Sequence, residues 1–121
     1  MLIGVNNSSL GGLKSNLECT NNNISIQTSW HTEFKYTATE DCVYYLYVSV
    51  DSYNLVGARI ELNNKNIGGF NTTFPDTAYG TVRATSVILP LKANDKLELF
   101  LATTDIVKTE NVFMIKGKLQ S

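Results

Sequence analysis

The sequence predicts an all-β protein of about eight short strands, the count of a sandwich, a jelly roll or a barrel. Three observations lead there. Helical periodicity is almost absent, apolar positions are filled by β-branched and aromatic residues, and strand-like runs are separated by short turn signals. At 121 residues the chain is one domain with room for a single sizeable core.

The elements follow in order. The small polar stretch "NNSSLGGLKSN" lies within a flexible lead-in, residues 1–17. "NISIQTSW" (23–30) alternates Ile24, Ile26 and Thr28 against polar neighbours, and "EFKY" (33–36) leads towards the run "DCVYYLYVSVD" (41–51). "VGARIELN" (56–63) sets Ala58, Ile60 and Leu62 against Arg59 and Glu61. The asparagines of "NNKN" (63–66) tolerate positive φ and suit a tight hairpin turn into "NIGGFNTTF". "TVRATSVILPL" (81–91) has Val87, Leu89 and Leu91 in phase, and Pro90 marks a strand end or an edge. A turn at Ala93–Asp95 feeds Leu97, Leu99 and Leu101, and "NVFMIKGKLQ" (111–120) closes the chain with Phe113, Ile115, Gly117 and Leu119 in phase.

The 42–50 strand poses a problem. Cys42, Tyr44, Leu46, Val48 and Val50 make one face, yet the other carries Val43, Tyr45, Tyr47 and Ser49. Neither face is designed for water. Phe113 and Ile115 stand opposite Val112 and Met114 in the same way, and Phe100 stands opposite the leucines of its strand. An aromatic side chain covers on the order of 150–250 Å². Tyr45, Tyr47 and Phe100 together therefore approach the ~300–600 Å² ceiling for an apolar patch on a monomer. A second copy of the chain is the expected cover, with closed symmetry of an order these residues do not choose.

Composition excludes several classes. Ten basic and eleven acidic residues leave no basic footprint for nucleic acid and no polybasic membrane patch, and no apolar run is long enough to span a bilayer. The start, "MLIGVNNSSLGG", lacks a charged segment and a full apolar segment, so no signal peptide is read. Cys19 and Cys42 read as small buried apolar residues, the alternative being a disulfide between them. The lone His31 has no partner at ligand spacing and no nucleophile elbow nearby, so no catalytic site, metal or cofactor is expected. Glu40 and Asp41 are adjacent and point apart on a turn, and "IGGF" lacks the lysine of a phosphate loop. Oxygens from "DS" (51–52) and "TTD" (103–105) offer only a weak calcium set, and Asn71-Thr72-Thr73 is a glycosylation sequon on a polar surface. Among aromatics in polar surroundings, Phe70 reads as an end plug of the core, with Phe74 in the same segment. Tyr53 and Tyr79 are the ligand-surface candidates, because an aromatic face beside amides and hydroxyls suits a sugar.

Three segments carry a resemblance. "YTATEDCVYYLYVSV", "SVILPLKANDKLEL" and "FMIKGKL" resemble, in order and spacing, signature strands of the tumour-necrosis-factor and complement-globular-head jelly-roll superfamily, over residues 36 to 119. The chain is similar in flavour to the small asparagine- and threonine-rich versions of bacteriophage fibres and bacterial surface proteins. Cys42 and Asn94 stand where glycine is usual, and Ile115 and Lys118 where aromatics are common. The resemblance implies an antiparallel jelly-roll sandwich of eight to ten strands over 18–121. It further implies a homotrimer on a virion, fibre or cell surface, its interface lined by the 42–50, 82–90 and 112–119 strands. The interface residues would be Tyr45, Tyr47, Phe100, Phe113 and Ile115. The function expected is attachment to a surface glycan or protein receptor, without catalysis. A purely structural trimerisation or capsid-decoration cap and a monomeric carbohydrate-binding module are the alternatives.

Overall fold

Alternation with a period of two dictates two sheets packed face to face, and the computed structural model has that form. It describes residues 14–15, 17–52, 56–70, 81–103 and 108–120. The strands are β1 (Lys14–Ser15), β2 (Glu18–Ile26), β3 (His31–Thr37), β4 (Cys42–Ser52), β5 (Val56–Leu62), β6 (Lys65–Phe70), β7 (Thr81–Leu91), β8 (Lys96–Thr103) and β9 (Lys108–Gln120). One sheet has the order β1-β9-β4-β7, with β2 also on β9; the other has the order β3-β8-β5-β6. All pairings are antiparallel. Among the described strands, only β5–β6 is a hairpin within one sheet. The other connections from β2 onward cross between the sheets, which is jelly-roll topology.

The core lies where the inward residues of both sheets meet. Leu46, Val48 and Val50 of β4 and Val112 and Met114 of β9 face Val56, Ala58 and Ile60 of β5 and Leu97, Leu99 and Leu101 of β8. At one end the Tyr36 and Tyr44 rings stack at 4.2 Å, and the Lys116 ammonium sits 5.2 Å from the centre of the Phe34 ring. Burial raises the Tyr44 phenol to about 12, and burial with the hydrogen-bonded Cys42 thiol raises that of Tyr36.

That end is closed by turn chemistry. Asn63 and Asn64 both take positive φ, 50° and 69°, the two-residue turn that the asparagines predict, and Asn94 takes 76°. Asp95 then ties three loops together: its carboxylate accepts from the Lys92 N–H at 2.8 Å and the Asn63 amide at 3.0 Å, while its carbonyl accepts from the Ala38 N–H at 2.9 Å. Asp41, one of the paired turn carboxylates, accepts from the Ala93 N–H at 3.0 Å.

Some expectations shift. The 23–30 strand runs instead from Glu18 to Ile26, so Trp30 falls in the connection to β3, and the closing strand begins at Lys108. Lys14–Ser15, within the expected lead-in, pairs with Leu119 and Gln120. The reading of both cysteines as buried is corrected: Cys19 is exposed, Cys42 is half-buried, and both are free. They stand on different strands with opposite phase, Cys19 beside the outward Ile115 and Cys42 in line with the inward Tyr44.

Candidate self-association face

The outward residues of the β1/β2-β9-β4-β7 sheet follow directly from its register. Across β7, β4, β9 and β2 they align as Pro90–Val43–Leu119, Ile88–Tyr45–Gly117, Ser86–Tyr47–Ile115–Cys19, Ala84–Ser49–Phe113–Asn21 and Val82–Asp51–Asn111–Asn23. The first three rows are mostly apolar, the fourth sets Ala84 and Phe113 beside Ser49 and Asn21, and the last sets Val82 beside two amides and a carboxylate. Tyr47 and Phe113, diagonal neighbours, meet edge to face at 6.0 Å. Asn111 donates to the side-chain oxygens of Asn21 at 2.8 Å and Asn23 at 3.4 Å, which stiffens the polar border.

Four of the five interface residues expected from the sequence converge here. Tyr45, Tyr47 and Phe113 are half-buried, and burial, then the neighbouring Tyr47, raises the Tyr45 phenol. Ile115 is only 5% exposed because Tyr47 and Cys19 flank it, so it braces the patch from beneath. Gly117, opposite Tyr45, takes φ 153°. Phe100 does not join them. It points outward from the other sheet, opposite Arg59 and Thr32, because β8 turns its leucines inward. Tyr53 and Tyr79 lie outside the described residues.

Two strongly exposed members, Ile88 at 61% and Val82 at 66%, are not among the residues expected from the sequence, although their 82–90 strand is; Val43, expected on this face, is 38% exposed. The signal for Ile88 was present, since it is out of phase with the inward Val87, Leu89 and Leu91. A β7 edge strand bearing such residues is unusual, as edges are ordinarily guarded by charge.

His31 starts β3 with Nδ1 3.4 Å from the Ser29 carbonyl and Nε2 3.5 Å from the Glu33 carboxylate. Among the described residues, no three His, Cys, Asp or Glu side chains are grouped to hold a metal ion. No helix among them is long and apolar enough to cross a membrane.

No protein-family profile matches the chain, and no curated protein sequence matches it. Solved structures do. The globular domain of zebrafish complement 1qA is similar over 88% of this chain and 97% of its own, with TM-score 0.61 and 13% identity. Part of latent PorU from Porphyromonas gingivalis, a dimer in its crystal structure, is similar over 88% of this chain but 13% of its own, with TM-score 0.50 and 9% identity. Pika GITRL is similar over 77% of this chain and 76% of its own, with TM-score 0.48 and 19% identity. The fold is therefore the jelly roll of the complement 1qA globular domain.

Proposed function

We propose that the chain is a non-enzymatic attachment module that assembles into a closed homotrimer through the outer face of the β1/β2-β9-β4-β7 sheet, on a virion, fibre or cell surface. The observation that carries this reading is the contiguous apolar band of Val43, Tyr45, Tyr47, Ile88 and Phe113 on a face the single chain leaves open. Covering ~400 Å² of it contributes about 10 kcal/mol gross per chain at ~25 cal/mol per Å², before the costs of association. The Asn21–Asn111–Asn23 row and Asp51 form the polar rim expected around such a contact. Three-fold symmetry is the choice favoured by the fold resemblance, and three equivalent outer surfaces give attachment its strength through avidity.

Light scattering coupled to size exclusion tests the assembly. The expected mass is three chains of 13.4 kDa, about 40 kDa. A monomer across the micromolar range overturns the reading.

A further inference from the structure

Outside the apolar face, the description of the fold leaves one aromatic and polar constellation without a role. Trp30, the only tryptophan in the chain, is 42% exposed at the connection between β2 and β3. The Arg59 guanidinium stands 5.3 Å from its ring centre, and Arg59 Nε lies 3.0 Å from the Glu61 carboxylate. Asn66 is paired with Glu61 across the β5–β6 hairpin and Gly69 with Arg59. Gly68 and Gly69 carry no side chain, and beside them opens a cleft of about 640 Å³ lined by Trp30, Arg59, Asn66, Gly68, Gly69 and Phe70. That volume suits a small ligand.

We propose that this cleft binds a neutral saccharide unit, with the sugar stacked on Trp30 and its hydroxyls held by Arg59 and Asn66. The chemistry selects the class. A pyranose ring offers an apolar C–H face to an indole. Its vicinal hydroxyls act as both donors and acceptors, matching the planar guanidinium of Arg59 and the side-chain amide of Asn66, which both line the cleft. Charge then selects within the class. Arg59 is already paired with Glu61, so the site presents no spare cation for a phosphate, a sulfate or a uronate. Gly69 is fixed as glycine by its own backbone, because a Cβ there would lie 2.2 Å from the Ala58 carbonyl oxygen at φ 142°.

The inference deepens the attachment half of the proposed function by naming its ligand class and place. It is independent of the assembly half, because the cleft lies on the other sheet. With one tryptophan, intrinsic fluorescence reports on the site. The full chain is titrated with neutral gluco-, galacto- and manno-disaccharides, and with digalacturonate as the acidic control. Saturable quenching or a blue shift by a neutral sugar, with a dissociation constant near or below about 1 mM, is expected. In calorimetry with that sugar, Trp30→Ala should weaken binding at least about tenfold, and Asn66→Ala severalfold. No response to any neutral sugar at roughly 20 mM, tighter binding of digalacturonate, or an unchanged affinity in both variants would each overturn the proposal. Folding is checked by circular dichroism, and mass is read on the same samples. Sugar binding by a monomer would retain this inference while refuting the assembly, and a trimer blind to neutral sugars would do the reverse.

Discussion

The two outward sheet faces obey the same alternation and reach opposite results. On the β3-β8-β5-β6 sheet, outward positions hold Lys35, Lys96, Glu98, Arg59, Glu61 and Asn66 around a single large aromatic, Phe100, with the ion pairs Arg59–Glu61 at 3.0 Å and Lys96–Glu98 at 3.4 Å. On the β1/β2-β9-β4-β7 sheet, the equivalent positions hold Val43, Tyr45, Tyr47, Val82, Ile88 and Phe113. A sandwich needs only its inner faces apolar. One outer face is largely charged and the other largely apolar, which is why the proposed assembly is tied to one sheet.

Charge placed on the apolar face gives the largest effect. Tyr45→Asp with Tyr47→Asp is expected to weaken self-association at least ~100-fold, about 3 kcal/mol or more, since each copy would bury an unpaired carboxylate. Sedimentation should then show monomers. Phe100→Thr, on the opposite face, should leave the assembled mass unchanged; a loss of mass there would break the distinction between the faces.

Next in size is a change within the charged sheet. Gly69→Ala forces a Cβ to 2.2 Å from the Ala58 oxygen in a left-handed backbone region. It should lower stability by about 3 kcal/mol in denaturant unfolding. Gly68→Ala, whose Cβ would meet Val87 at 3.5 Å, should change it by less than about 1 kcal/mol. A single edit on the apolar face follows. Ile88→Thr removes about 1 kcal/mol of apolar burial per contact and should raise the dissociation constant roughly fivefold.

The smallest effect is one of pH. Hydrogen bonds from Asn63, then from the Lys92 N–H, hold the Asp95 carboxyl below the usual aspartate range. A lowered folded value means that this stabilisation is complete above the unfolded value, about pH 4, and is lost as pH falls through the folded one. Denaturant midpoints should therefore fall faster below about pH 4 in the parent chain than in Asp95→Asn. Parallel curves would show that Asp95 does not link these turns energetically.

Much of the fold was legible because its signals are local. Asn63-Asn64 in a run of asparagines tolerates the positive φ of a tight turn, and Tyr44, Leu46, Val48 and Val50 could share only one face. The apolar face was legible in part, since Tyr45 and Tyr47 on one strand and Phe113 and Ile115 on another were each anomalous. Whether Phe100 shared their sheet was beyond periodicity, because strand order is set by long-range pairing. Cys19 illustrates the same limit: its residue type argues for burial, and only its pairing beside Ile115 on the outer face leaves it exposed. The Trp30–Arg59 pair joins residues twenty-nine positions apart, which no local pattern links.

The most direct test of the covered face is hydroxyl-radical footprinting of the parent chain at micromolar concentration, each residue normalised to its rate in the unfolded chain. In the single chain Ile88 is more exposed than Trp30, at 61% against 42%. The account predicts the reverse order in solution, with Ile88 protected and Trp30 still reactive. Ile88 reacting faster than Trp30 would contradict it, and the apolar face would stand open to solvent.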